Sequence, residues 1–350
     1  MSAGPAARAG HPRRPAPAGR LRAFTAAAVV AFATALTTAP APSRAEGAAS
    51  GVQAYPVHPV RMIVPFPAGG SADIISRLVA DKLSAAWGQP LIVDNRPGAA
   101  GNIGADAVAK AEPDGYTLLS TPAPPLVINP SLYPRLSFDP SQFVPVTVMA
   151  AVPSVLVVNP QAPAADLKQL ISYARAHPGK LNYASQGNGT TSHLTTELMK
   201  SMADLKITHI PYKGSAPALA DLIAGQVDMM FDNLASSLSF IRSGKLRALA
   251  VGSTKRDPAL PDVPAMDEVL PGFVSIAWFA IVAPPKTSPD LAARIQSAVA
   301  AALAMPDVQL KLRELSAEPM GTTPASTAAF MHEEGQRWRR VIQSAGVKVD

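Results

Sequence analysis

The sequence predicts an α/β protein of two lobes joined by a hinge, and three observations carry that prediction. From Tyr55 onward, short runs rich in β-branched residues alternate with longer runs of helical periodicity. Loops bearing Gly, Ser and Asp separate the strand of each pair from its helix. The strand-and-helix alternation runs in two successive sets, separated by two long apolar runs that flank Pro153.

Val60–Phe66 reads as a buried strand. Ile74, Ile75, Leu78, Val79 and Leu83 mark one face of the helix after it. Leu91–Val93 is a second strand, Arg96-Pro97-Gly98 turns toward a helix beginning near Asn102, and Asp114-Gly115 turns into the strand Tyr116–Ser120. Three strand–loop–helix steps in a row imply a parallel sheet whose strand C-termini share one edge. Val144–Val158 reads as a strand crossing out of the first lobe. Helix 163–176 follows, then Leu181–Ser185, helix 192–202, Ile207–Ile210, helix 215–224, Val227–Phe231, helix 235–243 and Leu246–Val251. Residues 258–271 form a Pro-rich connector. Ala277–Ala283 is a return strand, and Leu291, Ile295, Val299 and Leu303 mark the helix that follows. A chain that leaves one lobe, builds another and comes back defines a discontinuous lobe 1 (residues 46–152 plus 275–350) and a continuous lobe 2 (residues 153–274).

The first 45 residues read as a secretory signal peptide. Five arginines from Arg8 to Arg22 precede an Ala-rich apolar run, which ends at the small residues of Ser43-Arg44-Ala45. The run is short and interrupted by Thr25, Thr34, Thr37 and Thr38, which argues against a membrane anchor. A periplasmic location after cleavage is expected. Residues 1–45 carry six of the 31 Lys and Arg and none of the 25 Asp and Glu. The remaining chain therefore has 25 of each, and the net charge of +6 belongs to the leader. Nucleic acid is not an expected partner for such a neutral body. With no cysteine in the chain, thiol catalysis and thiolate metal sites are excluded.

Ligands of open α/β sheets sit beyond the strand C-termini, so the strand-to-helix loops are the candidate site. The first is Pro65-Phe66-Pro67-Ala68-Gly69-Gly70-Ser71-Ala72-Asp73, where glycines permit a sharp turn and Ser71 or Asp73 suits a helix cap. Exposed N–H groups at such a helix start favour a carboxylate or another anion, although an ordinary Gly turn with a cap has the same sequence. The matching loop of the second lobe is Ser185-Gln186-Gly187-Asn188-Gly189-Thr190-Thr191-Ser192-His193. It lacks the third glycine of a dinucleotide fingerprint and the Gly-Lys-Ser/Thr of a Walker motif. In Ile210-Pro211-Tyr212-Lys213-Gly214-Ser215, Lys213 offers a counter-charge and Tyr212 a wall; Asp232 ends a strand and offers an acceptor. The Gly98, Gly101 and Gly104 series reads first as close packing. No G-x-S-x-G elbow, H-E-x-x-H or metal-spaced histidine pair is present, and His332-Glu333-Glu334 reads as surface. The chain is therefore read as a binding protein, with an enzyme of unknown reaction as the remote alternative.

Several strings carry a family resemblance. V-R-M-I-V-P-F-P-A-G-G-S-A-D-I-I-S-R is followed by V-D-N-R-P-G-A-A-G-N-I-G-A-D-A-V-A-K-A-E-P-D-G-Y-T-L-L. Next come S-H-L-T-T-E-L, H-I-P-Y-K-G-S-A-P-A-L-A-D-L-I-A-G-Q-V-D-M-M-F-D and G-K-L-R-A-L-A-V. Together they resemble the Bug family, the TctC-like extracytoplasmic receptors of tripartite tricarboxylate transporters, over essentially the whole chain from Tyr55. The resemblance implies a type II periplasmic-binding-protein fold, a small organic carboxylate or related solute bound between the lobes, and no cofactor or metal. It implies a monomer that serves a membrane permease, or alternatively a sensor kinase. By position, the ligand-binding residues it implies are Ala68, Gly69, Gly70, Ser71 and Asp73 in lobe 1. In lobe 2 they are Ser185, Gly189, Thr190 and His193, with Tyr212, Lys213 and Asp232 on the specificity side. Thr121-Pro122-Ala123-Pro124-Pro125 departs from the small, polar segment expected at the cleft edge.

Overall fold

The computed structural model describes residues 55–349; the signal peptide reading falls outside them. Lobe 1 opens with β1 (Val60–Val64), α1 (Ser71–Trp87), β2 (Leu91–Asn95), α2 (Asn102–Ala109), β3 (Thr117–Pro122) and the single turn α3 (Asn129–Leu132). The 15-residue β4 (Val144–Val158) then leads into lobe 2. That lobe holds α4 (Leu167–Ala176), β5 (Asn182–Ser185), α5 (Thr191–Ala203), β6 (Thr208–Pro211), α6 (Ser215–Ile223), β7 (Met229–Asn233), α7 (Leu234–Arg242) and β8 (Arg247–Val251). The chain returns through β9 (Ile276–Ala283) and finishes with α8 (Pro289–Leu303), α9 (Pro306–Glu314), β10 (Glu318–Pro319) and α10 (Pro324–Ala345).

The pairing builds one pattern twice. In lobe 1 the order is β2-β1-β3-β9-β4, with β2, β1 and β3 parallel and β9 antiparallel to both of its neighbours. In lobe 2 it is β6-β5-β7-β4-β8, with β6, β5 and β7 parallel and β4 antiparallel to both of its neighbours. Each lobe thus receives, beside its third parallel strand, one strand that has come from the other lobe. β4 changes sheet at Pro153: Pro153 still pairs with Ile276 of β9, whereas Ser154 pairs with Asn233 of β7. A proline has no N–H to offer a ladder, so it suits the point where one ladder stops and another starts.

The inner strands β3 and β7 are buried along almost their whole length, whereas the outer strands β2 and β6 are partly exposed. Val60, Met62 and Val64 of β1 are fully buried, and α1 lays Ile75, Val79 and Leu83, at intervals of four residues, against the same core. That core continues into lobe 2 through Leu219, Leu222, Met230 and Leu234, and a second one, with Leu167, Leu170, Tyr183, Met199 and Phe231, fills the rest of that lobe.

Some boundaries differ from those the sequence predicts. The first strand stops at Val64 because Pro65 and Pro67 cannot donate, and the Phe66 carbonyl accepts from Asn95 Nδ2 instead. The helix expected from residue 163 begins at Leu167, where the Asp166 carboxylate accepts from the Gln169 N–H at 2.8 Å. The sequence reading did not resolve α9 and β10.

Candidate functional site

The C-terminal ends of β1, β2, β5 and β6 face one another across a cleft of about 670 Å³. Lobe 1 lines it with Phe66, Pro67, Tyr133 and the turn Gly98–Gly101; lobe 2 contributes Gln186, Gly187, Asn188, Tyr212 and Lys213. Its inner end narrows to a chamber of about 20 Å³ that shares Phe66, Pro67 and Gln186 and adds Gly70, Ser71 and Ser215. The lobes touch there: Ser71 Oγ of lobe 1 donates to Ser236 Oγ of lobe 2 at 3.3 Å.

Two helix starts meet at this inner end. Gly70, extended at φ −85° and ψ 167°, precedes α1, and Gly214 at φ 116° precedes α6. The first-turn N–H groups of both helices have no intrahelical acceptor, so each end presents partial positive charge to the chamber. A Cβ on Gly214 would come within 2.7 Å of Pro67 Cγ, which makes this glycine a condition for the two lobes to approach so closely.

The expected lobe 1 residues divide between wall and support. Gly70 and Ser71 line the chamber, whereas Ala68 and Gly69 lie on the exposed side of the loop. Asp73 is a support: its carboxylate accepts from the Gly69 N–H at 3.0 Å, Arg77 Nε at 2.9 Å and Asn95 Nδ2 at 3.0 Å. Burial pushes this carboxyl up, but the bonds from Arg77, Gly69 and Asn95 outweigh burial and hold it below the ordinary range. These bonds fix the loop's shape.

In lobe 2, Ser185, Gly189, Thr190 and His193 form a buried brace beneath the loop. Thr190 caps α5 and donates from Oγ1 to the Gly187 carbonyl at 2.7 Å. The Gly189 N–H donates to His193 Nδ1 at 3.1 Å, so that nitrogen is an acceptor and the ring proton sits on Nε2. His193 stacks on His209 with centroids 4.1 Å apart, and His209 stacks on Tyr183 at 4.7 Å. His209 Nε2 lies 2.6 Å from Ser185 Oγ. Burial lowers the pKa of His193 to about 4. Burial, together with the neighbouring His193, lowers that of His209 to about 3. Gly189 also lies against lobe 1, since a Cβ there would meet Leu132 Cδ1 at 3.1 Å.

Tyr212 and Lys213 stand at the outer rim. Tyr212 donates its hydroxyl proton to Asp221 Oδ2 at 2.7 Å, and burial with that acceptor pushes its pKa up to about 12. Lys213 is exposed on the cleft wall. Asp232 lies below the chamber, 1% exposed, with its Oδ1 accepting from Gln186 Nε2 at 2.6 Å and Ser215 Oγ at 2.8 Å. Its Oδ2 accepts from Ser236 Oγ at 2.6 Å and Ser237 Oγ at 2.7 Å.

Gln186, Gly214, Ser215 and Ser236 were not singled out from the sequence, though the first three lie in the loops that strand-to-helix logic had marked. Ser236 belongs to the first turn of α7, and no pattern distinguishes it. Gly98 and Gly101 line the cleft, while Gly104 is a packing glycine whose Cβ would meet Pro65 Cβ at 2.7 Å. Gly98, Ala99, Ala100 and Gly101 are four consecutive residues with positive φ, and Asn129 Nδ2 holds this turn by donating to the Ala100 carbonyl at 3.2 Å. The Pro-rich departure borders the chamber through Pro122. Among the described residues no group of three His, Asp or Glu is placed to hold a metal ion.

Two lobes of repeated topology, two crossing strands and a cleft at facing helix starts define the solute-binding proteins of the two-lobed periplasmic type. The chain belongs to the TctC family, the tripartite tricarboxylate transporter family receptors, whose pattern matches residues 75–347. It is 41% identical over 298 residues to the protein BugT of Bordetella pertussis, covering 84% of this chain and 91% of BugT. It is also 41% identical over 297 residues to a UPF0065 protein from the tcbD-tcbE intergenic region of Pseudomonas sp. strain P51, covering 84% of this chain and 88% of that one. Among solved structures, Rpa4515 of R. palustris with adipate superposes with a TM-score of 0.82 at 40% identity, covering 84% of this chain and 99% of that one. MatC of Rhodopseudomonas palustris with bound malate gives 0.79 at 35% identity, covering 82% of this chain and all of MatC.

Proposed function

We propose that this chain is a periplasmic receptor that captures a small organic carboxylate between its lobes and presents the closed form to a tripartite tricarboxylate-type permease. The observation that carries the proposal is the cleft of about 670 Å³ whose inner end gathers the helix starts at Gly70 and Gly214, one from each lobe. A cleft of that size suits a small metabolite, and facing N–H groups suit an anion. Adipate in Rpa4515 and malate in MatC support a carboxylate.

In this reading Gly70, Ser71 and the Gln186–Asn188 turn meet the ligand. Tyr212 and Lys213 face its outer portion. Asp73, Ser185, Gly189, Thr190, His193 and Asp232 hold the contacting loops in shape, and Ala68 and Gly69 complete the outward side of the first turn. The lobes are taken to divide at residues 152/153 and 274/275, a division supported by the passage of β4 from one sheet to the other beside Pro153 and by the entry of β9 into the first sheet at Ile276. The ligand makes more contacts with the lobes closed than open, so its binding shifts the population toward closure. The receptor works by binding and release, without turnover, after export under its N-terminal leader.

The test is native mass spectrometry of the purified protein, followed by thermal shift across dicarboxylates, amino acids and aromatic acids. A stoichiometric small acid, or a melting temperature that rises with acid concentration, is expected. Stabilisation by neutral solutes alone would overturn the carboxylate assignment. Co-purification with a kinase ectodomain instead of a permease would overturn the transport assignment.

A further inference from the structure

We infer that Asp232 fixes the hydrogen-bond polarity of the cleft's inner end, so that its side chains recognise a ligand group that donates, such as a hydroxyl or ammonium beside the carboxylate. This rests on the carboxylate-receptor reading above and narrows its ligand class.

The argument follows the hydrogens. An ionised carboxylate only accepts, and a serine hydroxyl has a single hydrogen to give. Asp232 takes four donations, from Gln186 Nε2, Ser215 Oγ, Ser236 Oγ and Ser237 Oγ. Ser71 Oγ of the opposite lobe gives its hydrogen to Ser236 Oγ. The hydroxyl hydrogens of Ser215, Ser236 and Ser237 are therefore spent on Asp232 and that of Ser71 on Ser236, and Gln186 points its amide nitrogen at Asp232 as well. What these side chains leave for a ligand is lone pairs: on Ser71 Oγ, on Ser215 Oγ and on Gln186 Oε1. Donation to the ligand at this end falls to backbone N–H groups, above all those of the first turn of α1, and to the Asn233 amide on the chamber wall.

The chamber's size points the same way. About 20 Å³ holds one water-sized group, and so one hydroxyl or ammonium but not both oxygens of a carboxylate. A ligand that carries a carboxylate and a neighbouring donor satisfies both sets. Its oxygens face the N–H groups, and its hydrogen reaches the acceptors of Ser215 and Gln186. A plain dicarboxylate leaves those acceptors unmatched, at a cost in affinity.

The experiment compares two pairs of acids that differ by one hydroxyl, succinate with malate and adipate with 2-hydroxyadipate, by isothermal titration. In the wild-type protein the hydroxy acid of at least one pair is expected to bind about tenfold tighter than its partner. In Asp232→Asn the new amide donates to a serine and turns that hydroxyl's hydrogen toward the chamber, so the preference is expected to fall below about threefold. Ser215→Ala, which removes one acceptor and leaves the carboxylate in place, is expected to reduce the preference too, and it decides the matter if Asp232→Asn does not fold. Binding of the acids without any hydroxyl preference, or an undiminished preference in the folded variants, would overturn the inference while leaving the carboxylate receptor intact. Failure of all four acids, with stabilisation by neutral solutes only, would overturn both.

Discussion

Ser154 Oγ and Ser275 Oγ lie 2.9 Å apart at the point where β4 leaves the first sheet for the second and the chain returns to the first as β9. Thr195 Oγ1 of α5 lies 2.6 Å from the same Ser275 oxygen, and the Ser154 N–H donates to the Ser275 carbonyl at 3.0 Å. All three hydroxyl residues are buried, so short polar bonds join the buried Val152, Val155 and Ala277 in closing the junction between the lobes. Ser275→Ala removes the shared partner and leaves Ser154 and Thr195 Oγ short of one bond each. A loss of about 1–3 kcal/mol in unfolding free energy is expected, read by denaturant titration. A loss within experimental error would mean that the trio does not contribute to the junction.

Gly214 and Gly179 form a controlled pair. Both have positive φ, 116° and 75°, so alanine strains the backbone at either. Only at Gly214 does the added Cβ collide with the other lobe, at Pro67, while at Gly179 it meets open space. Gly214→Ala is expected to weaken binding of the tightest acid at least tenfold, and Gly179→Ala to leave it unchanged while costing about 1 kcal/mol of stability. Equal effects on affinity would remove Gly214 from any role in closure.

Acid should loosen lobe 2. His193 and His209 have folded pKa values near 4 and 3, below the unfolded value of about 6.5, so the unfolded chain binds more protons between those limits. Stability is therefore complete above about pH 6.5 and falls as the pH drops from there toward 3. Protonating Nδ1 of His193 also removes the acceptor of the Gly189 N–H, which ties stability to the shape of the binding loop. Melting temperatures measured from pH 7.5 to 4.5 should decline, with a shallower slope in His193→Asn. A flat wild-type profile would contradict the burial of these rings.

Lys213 is exposed at the rim, where an anionic ligand would feel its charge through water. Lys213→Gln is expected to lower affinity for the tightest dicarboxylate severalfold at low ionic strength, with the difference vanishing near 1 M salt. The melting temperature of the unliganded protein should not change. A salt-independent loss would point to a direct, desolvated contact instead.

The alternation of strand and helix, the crossing strand and the return strand were all legible because each rests on local periodicity or on an apolar run interrupted at Pro153. The candidate loops were legible for the same reason: Gly, Ser and Asp gather where a parallel strand must turn into a helix. The division of labour inside them was not. Asp73 and Asp232 look alike in sequence as strand-end or helix-start acids, yet each is consumed by its own lobe, Asp73 by Arg77 and Asn95, Asp232 by Gln186 and three serines. Those partners lie as far as 46 residues away along the chain, and only folding brings them near. Ser236 and Gly214 meet the opposite lobe at Ser71 and Pro67, contacts for which local patterning carries no signal.

The placement of β9 sets an order on folding. It fills the gap between β3 and β4 in the first sheet, yet it is made after the whole of the second lobe. A chain emerging from its N-terminus can pair β1, β2 and β3 early, but β3 then has an open edge until residue 276 arrives. The second sheet needs only β4 to β8, which are contiguous apart from their connecting helices, and so can assemble as soon as Val251 is available. The lobe that begins first is thus completed last, and during that interval the β3 edge and the first half of β4 are both open to a wrong partner.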